Sequence, residues 1–380
     1  MIKLNVKRLL AVTRKECIHI IRDWRSLFLT LATPLIMLLL FAYALTLDVD
    51  NVPLVIWDQS KTVESRELIN RFLGSRYFSL YDYVDDYNTI EYAIDKNYAT
   101  AAMVIPSDFA RELESGKEAA VQLIVDGSDS NTATISLGYA DAVTRDYKKE
   151  LLLSAMQAHG LSAPIEPIDL DTRIWFNPDI SSRNTIIPGL VGVIMMVIAS
   201  LMTSLTVARE WERGSMEQLI ATPIKVPELI FGKMLPYFVL GLIDASIIVF
   251  IGEYVFHVPF RGSVLALYAF LTIFLIGALS LGMLISIATK SQLLASQLAM
   301  VVTFLPSFLL SGFLSPIQNM PDAIQAITYF VPARYLITFL RAIYLKGVGF
   351  EVLWIESLFL IIFAFTTVFA ANLLFKKKMG

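Results

Sequence analysis

Residues 186–223 read IIPGLVGVIMMVIASLMTSLTVAREWERGSMEQLIATP, and the break inside this stretch decides the fold. Residues 186–208 carry no charge, whereas the next five hold Arg209, Glu210, Glu212 and Arg213. A helix rises 1.5 Å per residue and a bilayer core is about 30 Å thick, so about 20 such residues cross a membrane. The charged cluster therefore marks a membrane face. Gly214 interrupts it, and Ser215 followed by Gln218 fits a capping box. Met216, Leu219 and Ile220 form an apolar stripe at helical spacing, and Pro223 marks the stop. The pattern predicts a short amphipathic helix, too short to be stable alone. It needs a surface, and both the membrane and a partner protein fit that need.

Five further apolar runs accompany this one, over residues 27–47, 229–252, 264–288, 293–314 and 352–375. The third span is interrupted by Lys233 and Asp244, and the sixth carries Glu356 near its start. The run at 27–47 follows a basic segment, but it exceeds the 7–15 apolar residues of a signal peptide and reads as an uncleaved anchor. Lys and Arg cluster before the first span, between the second and third, between the fourth and fifth at Lys290, and after the sixth at Lys376, Lys377 and Lys378. With six spans these all fall on one side, which the positive-inside rule makes cytoplasmic, both termini included. Residues 1–25 mix Leu9, Leu10, Val12, Ile18 and Ile21 with Arg8, Arg14, Lys15 and Arg22, as a basic helix lying along lipid headgroups does.

Residues 48–185 are too polar for the membrane and too long for a loop. Residues 48–183 hold 23 acids against 12 bases, while the rest of the chain holds 11 acids against 19 bases. Strand-like runs at 52–57, 101–105, 121–125 and 168–176 alternate with helical patterns at 62–73, 108–114 (Ser107 as its cap) and 132–158. The expected fold is an α-helical polytopic membrane protein of six transmembrane helices with an inserted extracytoplasmic α/β domain between helices 1 and 2. Its parts are an interfacial helix (1–25), the first span (26–47), the inserted domain (48–185) and the remaining bundle (186–380).

Chemistry is sparse. One cysteine, Cys17, excludes an internal disulfide, and His19, His159 and His257 are too scattered for a metal site. Asp82, Asp85 and Asp86, like Asp126 and Asp129, read as solvated loop acids; no catalytic constellation and no nucleic-acid pattern is present. Gly116-Lys117 and Gly232-Lys233 lack the rest of a phosphate-binding loop, so no direct nucleotide cofactor is expected. Asp244 is a candidate intramembrane substrate or packing residue. A carboxylate there costs about 2.5–3.5 kcal/mol on insertion scales and wants a partner, a cation or a wet cavity. Ser246 and a neighbouring subunit are both available partners, and Gly241 with Ala245 favours close helix packing.

Residues 208–219, with their Arg-Glu, Glu-Arg-Gly and Met-Glu, resemble the cytoplasmic signature of ABC-2 type exporter permeases, in particular the multidrug and cation efflux branch. Residues 172–178 (TRIWFNP) resemble that family's re-entry sequence, and Ser311-Gly312-Phe313, Met320-Pro321 and residues 331–335 (VPARY) resemble its segment between the last two spans. Ser215 stands where many relatives have Thr. The resemblance implies that residues 209–223 form a coupling helix seated on an ATP-binding cassette ATPase subunit, with Arg209, Glu210, Glu212, Arg213, Gly214, Ser215 and Glu217 as coupling residues. It implies ATP and Mg2+ on that partner, a second permease copy or paralogue, room for a periplasmic adaptor protein, and a bacterial inner-membrane location. It also implies that residues 315–345 re-enter the outer leaflet. A membrane-anchored assembly or secretion factor is the alternative class; a secondary transporter would show more intramembrane charge and internal repeats.

Overall fold

The computed structural model describes residues 5–44, 51–117, 119–158, 175–177 and 181–375. The chain divides into a helical unit, Met1–Thr46 with Ile174–Gly380, and an inserted unit, Leu47–Arg173. In chain order the elements begin with α1 (Val6–Arg22), α2 (Trp24–Ala44), β1 (Val52–Asp58), α3 (Val63–Gly74), β2 (Phe78–Tyr83), α4 (Tyr87–Asp95), β3 (Ala101–Ile105), α5 (Phe109–Glu114), β4 (Gln122–Val125) and α6 (Ser130–Ala158). They continue with α7 (Arg183–Glu212), α8 (Ser215–Ala221), α9 (Val226–Tyr254), α10 (Val264–Thr289), α11 (Gln292–Leu309), α12 (Asp322–Thr328), α13 (Pro332–Arg341) and α14 (Trp354–Leu374).

Six of these helices are long and apolar enough to cross a membrane: α2, α7, α9, α10, α11 and α14. α7 is the axis of the helical unit; α2, α9, α10, α11 and α13 all pack on it, and most of its residues are buried. α2, α11 and α14 instead expose long apolar faces, such as Leu293, Leu298 and Val301 on α11, as helices bordering hydrocarbon do. The fifth apolar run ends earlier than its composition predicts, because α11 stops at Leu309 and Gly312 turns left-handed at φ 80°. The backbone beyond is held by Arg341, whose guanidinium donates to the carbonyls of Gly312 (2.9 Å), Phe313 (3.2 Å) and Thr185 (3.2 Å). α12 and the helix Pro332–Lys346, which closes with a π turn at Ala342–Lys346, meet at 85°. The helix carrying the first span begins at Trp24 and its span at Leu27, as expected; residues 45–47 of the expected run lie outside the described residues.

The inserted unit is a four-stranded sheet in the order β2-β1-β3-β4, with β1 parallel to β2 and β3, and β4 antiparallel to β3. The runs VPLVIWD and AAMVI form its centre because both faces are covered. α3, α5 and α6 cover one face and α4 the other. Thr62 and Ser65 cap α3 reciprocally, at 3.3 and 3.1 Å. Ser107 does not cap α5: Asp108 holds the cap position and makes no side-chain cap bond. β2 and α4 were not foreseen from sequence, and nearly all of the expected strand at 168–176 lies outside the described residues. Of the five loop acids, Asp86 caps α4 through Thr89 N (2.7 Å), Asp126 accepts from Ser128 N (2.9 Å), Asp129 accepts from Thr132 Oγ1, and Asp85 pairs with Lys61.

Candidate functional site

α7 ends in the charged cluster, and the short helix α8 turns back from it at Gly214. That residue adopts φ +68°, a left-handed conformation that costs a side-chain-bearing residue about 1–2 kcal/mol. Gly214, not Ser215, is the N-cap, and the expected capping box does not form. The Ser215 hydroxyl is committed elsewhere: it donates to the Glu210 carboxylate, binding the first turn of α8 to the last turns of α7. The apolar stripe finds its surface within the chain. Met216 is fully buried, and Leu219 and Ile220 pack against the helical core. What α8 and its approach leave outward are Arg213, Glu217 and Gln218, all exposed. Arg213 and Glu217 have neither an ion pair nor a hydrogen-bonded side chain among the described residues.

Beneath α8 lies a buried ion cluster. Lys233 on α9 reaches Glu16 on α1 (3.1 Å) and Glu210 on α7 (3.2 Å). Lys15 adds a second ammonium to Glu210 at 2.9 Å, and Tyr237, one turn after Lys233, donates to Glu16 at 3.0 Å. Glu16, Glu210 and Lys233 are 4 %, 6 % and 2 % exposed. Two ammonium groups thus balance two carboxylates, and each charge gains hydrogen bonds that replace lost water. The arrangement requires α1 to lie directly on α9. Gly232 permits this: a Cβ there would stand 2.8 Å from Val12 Cβ. The Asn5 backbone N–H donates to Glu228 (2.8 Å), and Arg8 donates to the Pro223 carbonyl (2.6 Å), fastening α1 to the exit of α8 as well. α1 is therefore more than a headgroup-level helix. Val12 and Glu16 are built into the protein, while Lys7, Arg14 and Arg22, like Val6, Leu10, Ile18 and Ile21, stay exposed.

The remaining sequence-selected residues fall around this cluster. Glu212 accepts from the Gln292 backbone (2.7 Å) and side chain, which ties α7 to the start of α11. Arg209 faces Gln292 Oε1 (3.4 Å) and His19 Nε2 (3.5 Å). Asp244 is far along α9, 2 % exposed, on the face shared by Gly241, Ala245 and Ile248. Its Oδ2 has no hydrogen-bond partner among the described residues. The suggested bond to Ser246 is absent: Ser246 donates to Leu242 O (2.7 Å) and pairs with Tyr268 (2.7 Å). Gly241 packs closely as expected, with Leu275 Cδ2 3.0 Å from where a Cβ would be. Sequence reading missed Glu16 and Tyr237, placed Lys15 on a basic headgroup-level helix, and took Lys233 as an interruption of the third span and one of the cations that orient it. Among the described residues no group of three His, Cys, Asp or Glu side chains could hold a metal.

Six apolar helices, an inserted α/β unit between the first two, and a short helix folded back after the second define a multi-pass membrane protein. The chain belongs to the ABC-2 transporter family: the family model for ABC-2 family transporter protein matches residues 24–373. It is 36 % identical over 360 residues to the probable multidrug ABC transporter permease YbhS of Escherichia coli K12, covering 94 % of both chains. It is 31 % identical to YbhR of the same strain, likewise a probable multidrug ABC transporter permease, covering 98 % of this chain and 99 % of that one. The linearmycin resistance permease protein LnrN of Bacillus subtilis is 22 % identical over 90 % of this chain and 92 % of its own. The chain is thus a transporter permease, and its family implies an ATP-binding cassette partner subunit.

Proposed function

We propose that this permease is the membrane half of an ATP-driven exporter of the inner membrane. Both termini, α1 and α8 are cytoplasmic, and the Leu47–Arg173 unit is extracytoplasmic. The cation clusters at the α1–α8 end support that orientation. One observation carries the coupling: α8 buries its apolar side on its own bundle and turns the exposed Arg213, Glu217 and Gln218 outward, a polar face suited to an ATPase subunit. That subunit holds ATP and Mg2+, and a second permease copy or paralogue completes the translocation path. A periplasmic adaptor is compatible with the external unit, and the α12–α13 bend is a re-entrant segment of the outer leaflet. Force applied to α8 passes through Ser215 to Glu210 and from there to Lys233 and Glu16, so α1, α7 and α9 respond as one block.

Drugs, lipids and small cations are the cargo classes this reading covers; the names of YbhS and YbhR favour drugs. The buried Asp244, whose Oδ2 has no hydrogen-bond partner among the described residues, supports contact with a cationic cargo. The test is co-purification of the ATPase followed by cargo-stimulated ATP hydrolysis in liposomes. Charge reversal at Arg213 or Glu217 is expected to lower the stimulated rate about tenfold, the effect of roughly 1.4 kcal/mol. Unchanged stimulation in both variants, or a protease-accessible α8 on the outer side, overturns the coupling. Efflux by Asp244→Asn equal to that of the unaltered protein removes the cargo contact.

A further inference from the structure

A cavity of about 230 Å³ opens where the α1–α2 elbow meets α7 and α9. One end is polar, formed by His19, Asp23 and Arg209; the other is apolar, formed by residues such as Ile198, Leu205 and Leu240. Ile198 and Arg209 are eleven residues apart on α7, so the cavity runs about 16 Å along the helix. That is about half of a 30 Å hydrocarbon core, the depth of one leaflet. Its volume lies below the roughly 300–1,000 Å³ of clefts that take drug-sized molecules, and it is long and narrow instead.

The guanidinium at its mouth is incompletely paired. Arg209 is half-buried, yet among the described residues no carboxylate lies within ion-pairing distance of it. Its contacts to Gln292 and His19, at 3.4 and 3.5 Å, are at the outer limit of hydrogen bonding. A planar guanidinium in that setting is complementary to a phosphate, which it can grip bidentately. Asp23 places a carboxylate on the same wall, complementary to an ammonium and unfavourable to a head that is only anionic.

We propose that this cavity is a binding site for a zwitterionic phospholipid of the surrounding leaflet. The phosphate sits at Arg209 and His19, the amine is toward Asp23, and one acyl chain lies along α7 between α2 and α9. The occupant borders the ion cluster through Tyr237, which lines the cavity and donates to Glu16. Lipid binding thereby braces α1 against α9 at the site where α8 is anchored.

The test uses the full chain in nanodiscs with a phosphatidylethanolamine carrying a diazirine in its acyl chain. Crosslinks to residues 27–33 and 198–205 are compared with those to the exposed face of α14 in the same sample. Arg209→Gln is expected to lower the ratio about tenfold, and Arg209→Lys, a point charge in place of the fork, to about half. Leu205→Trp, which fills the apolar end and leaves the charges alone, lowers it as well. A ratio unchanged in both Arg209→Gln and Leu205→Trp overturns the proposal. So does equal labelling of the cavity by a neutral diazirine alcohol or by the phosphatidylglycerol analogue. No step requires ATP hydrolysis, so the outcome stands apart from the export reading.

Discussion

In the Leu47–Arg173 unit, Lys61–Asp85, Arg71–Glu150, Arg111–Asp108 and Arg145–Asp141 join side chains that are 41–85 % exposed, each pair by itself. In the helical unit, Lys15–Glu210, Lys233–Glu16 and Lys233–Glu210 share members, and the side chains of Lys233, Glu16 and Glu210 are 3 %, 5 % and 8 % exposed. The first kind is screened by water and contributes roughly 0–1 kcal/mol per pair. In the second kind Lys233, Glu16 and Glu210 have lost their water and depend on one another, while Lys15, 49 % exposed, keeps part of its own. Removing one partner there costs far more than the intact pair contributes. Ion pairs in the inserted unit decorate a fold that its sheet already secures; those in the helical unit join α1, α7 and α9 through buried charge, beside the Asn5–Glu228 and Arg209–His19 contacts.

The contrast can be broken most directly at Lys233. Lys233→Met leaves the buried Glu16 without a cation and takes one of two ammonium groups from Glu210, and is expected to destabilise the helical unit by about 3–5 kcal/mol, read from thermal unfolding in detergent. Adding Glu16→Gln should recover part of that loss; a double variant as unstable as the two single losses summed would show that the charges do not act as a group. Next in size is Gly232→Ala, where the added methyl forces α1 off α9 at about 1–3 kcal/mol and lengthens the Lys233–Glu16 contact. Protease accessibility of α1 should rise in step. Ser215→Ala removes a hydrogen bond to a charged group, about 1.5–3 kcal/mol. Its effect is confined to α8, so hydrogen exchange at residues 216–220 accelerates while α9 is unchanged. At the other extreme, Arg145→Ala is expected to shift stability by about 0.5 kcal/mol or less.

A pH experiment sharpens the same comparison. The Thr89 backbone N–H and hydroxyl hold the Asp86 carboxyl below the usual carboxylate range. A depressed folded value means the cap stabilises α4 at neutral pH and fades as acid carries the group through that lowered range. Intrinsic-rate-corrected protection of the first amides of α4 should therefore fall in acid. Asp86→Asn, which still caps, should flatten that dependence; identical profiles for the two proteins would show that Asp86 ionisation does not support the helix.

The spans were legible because a charge-free run of twenty residues has few other uses, and α8 because Gly214, the Met216 stripe and Pro223 punctuate it within ten residues. The ion cluster was not legible. Lys233 bonds a residue 217 positions away and another 23 away, and a lone lysine inside an apolar run gives no hint of either. The capping motif at Ser215 misled because the left-handed Gly214 takes the N-cap position, leaving Ser215 as the first helical residue with its hydroxyl donated back to the Glu210 carboxylate. β2 escaped notice for a different reason. Only Phe78 of FSLYDY is buried at this sheet edge, so no alternation marks the strand. Asp244 stood out as a charge inside a span; of the partners offered for it, Ser246 is engaged by Leu242 and Tyr268 instead.

Arg341 does for the far end of the bundle what a solvent shell does elsewhere. Its three bonds satisfy carbonyls on two separate stretches of chain, Thr185 on one and the adjacent Gly312 and Phe313 on the other. A single side chain so shared makes the entry to α7, the exit from α11 and the end of α13 mechanically interdependent. None of the three can slide alone without orphaning a carbonyl on another, so displacement at that end is concerted or it severs the guanidinium altogether.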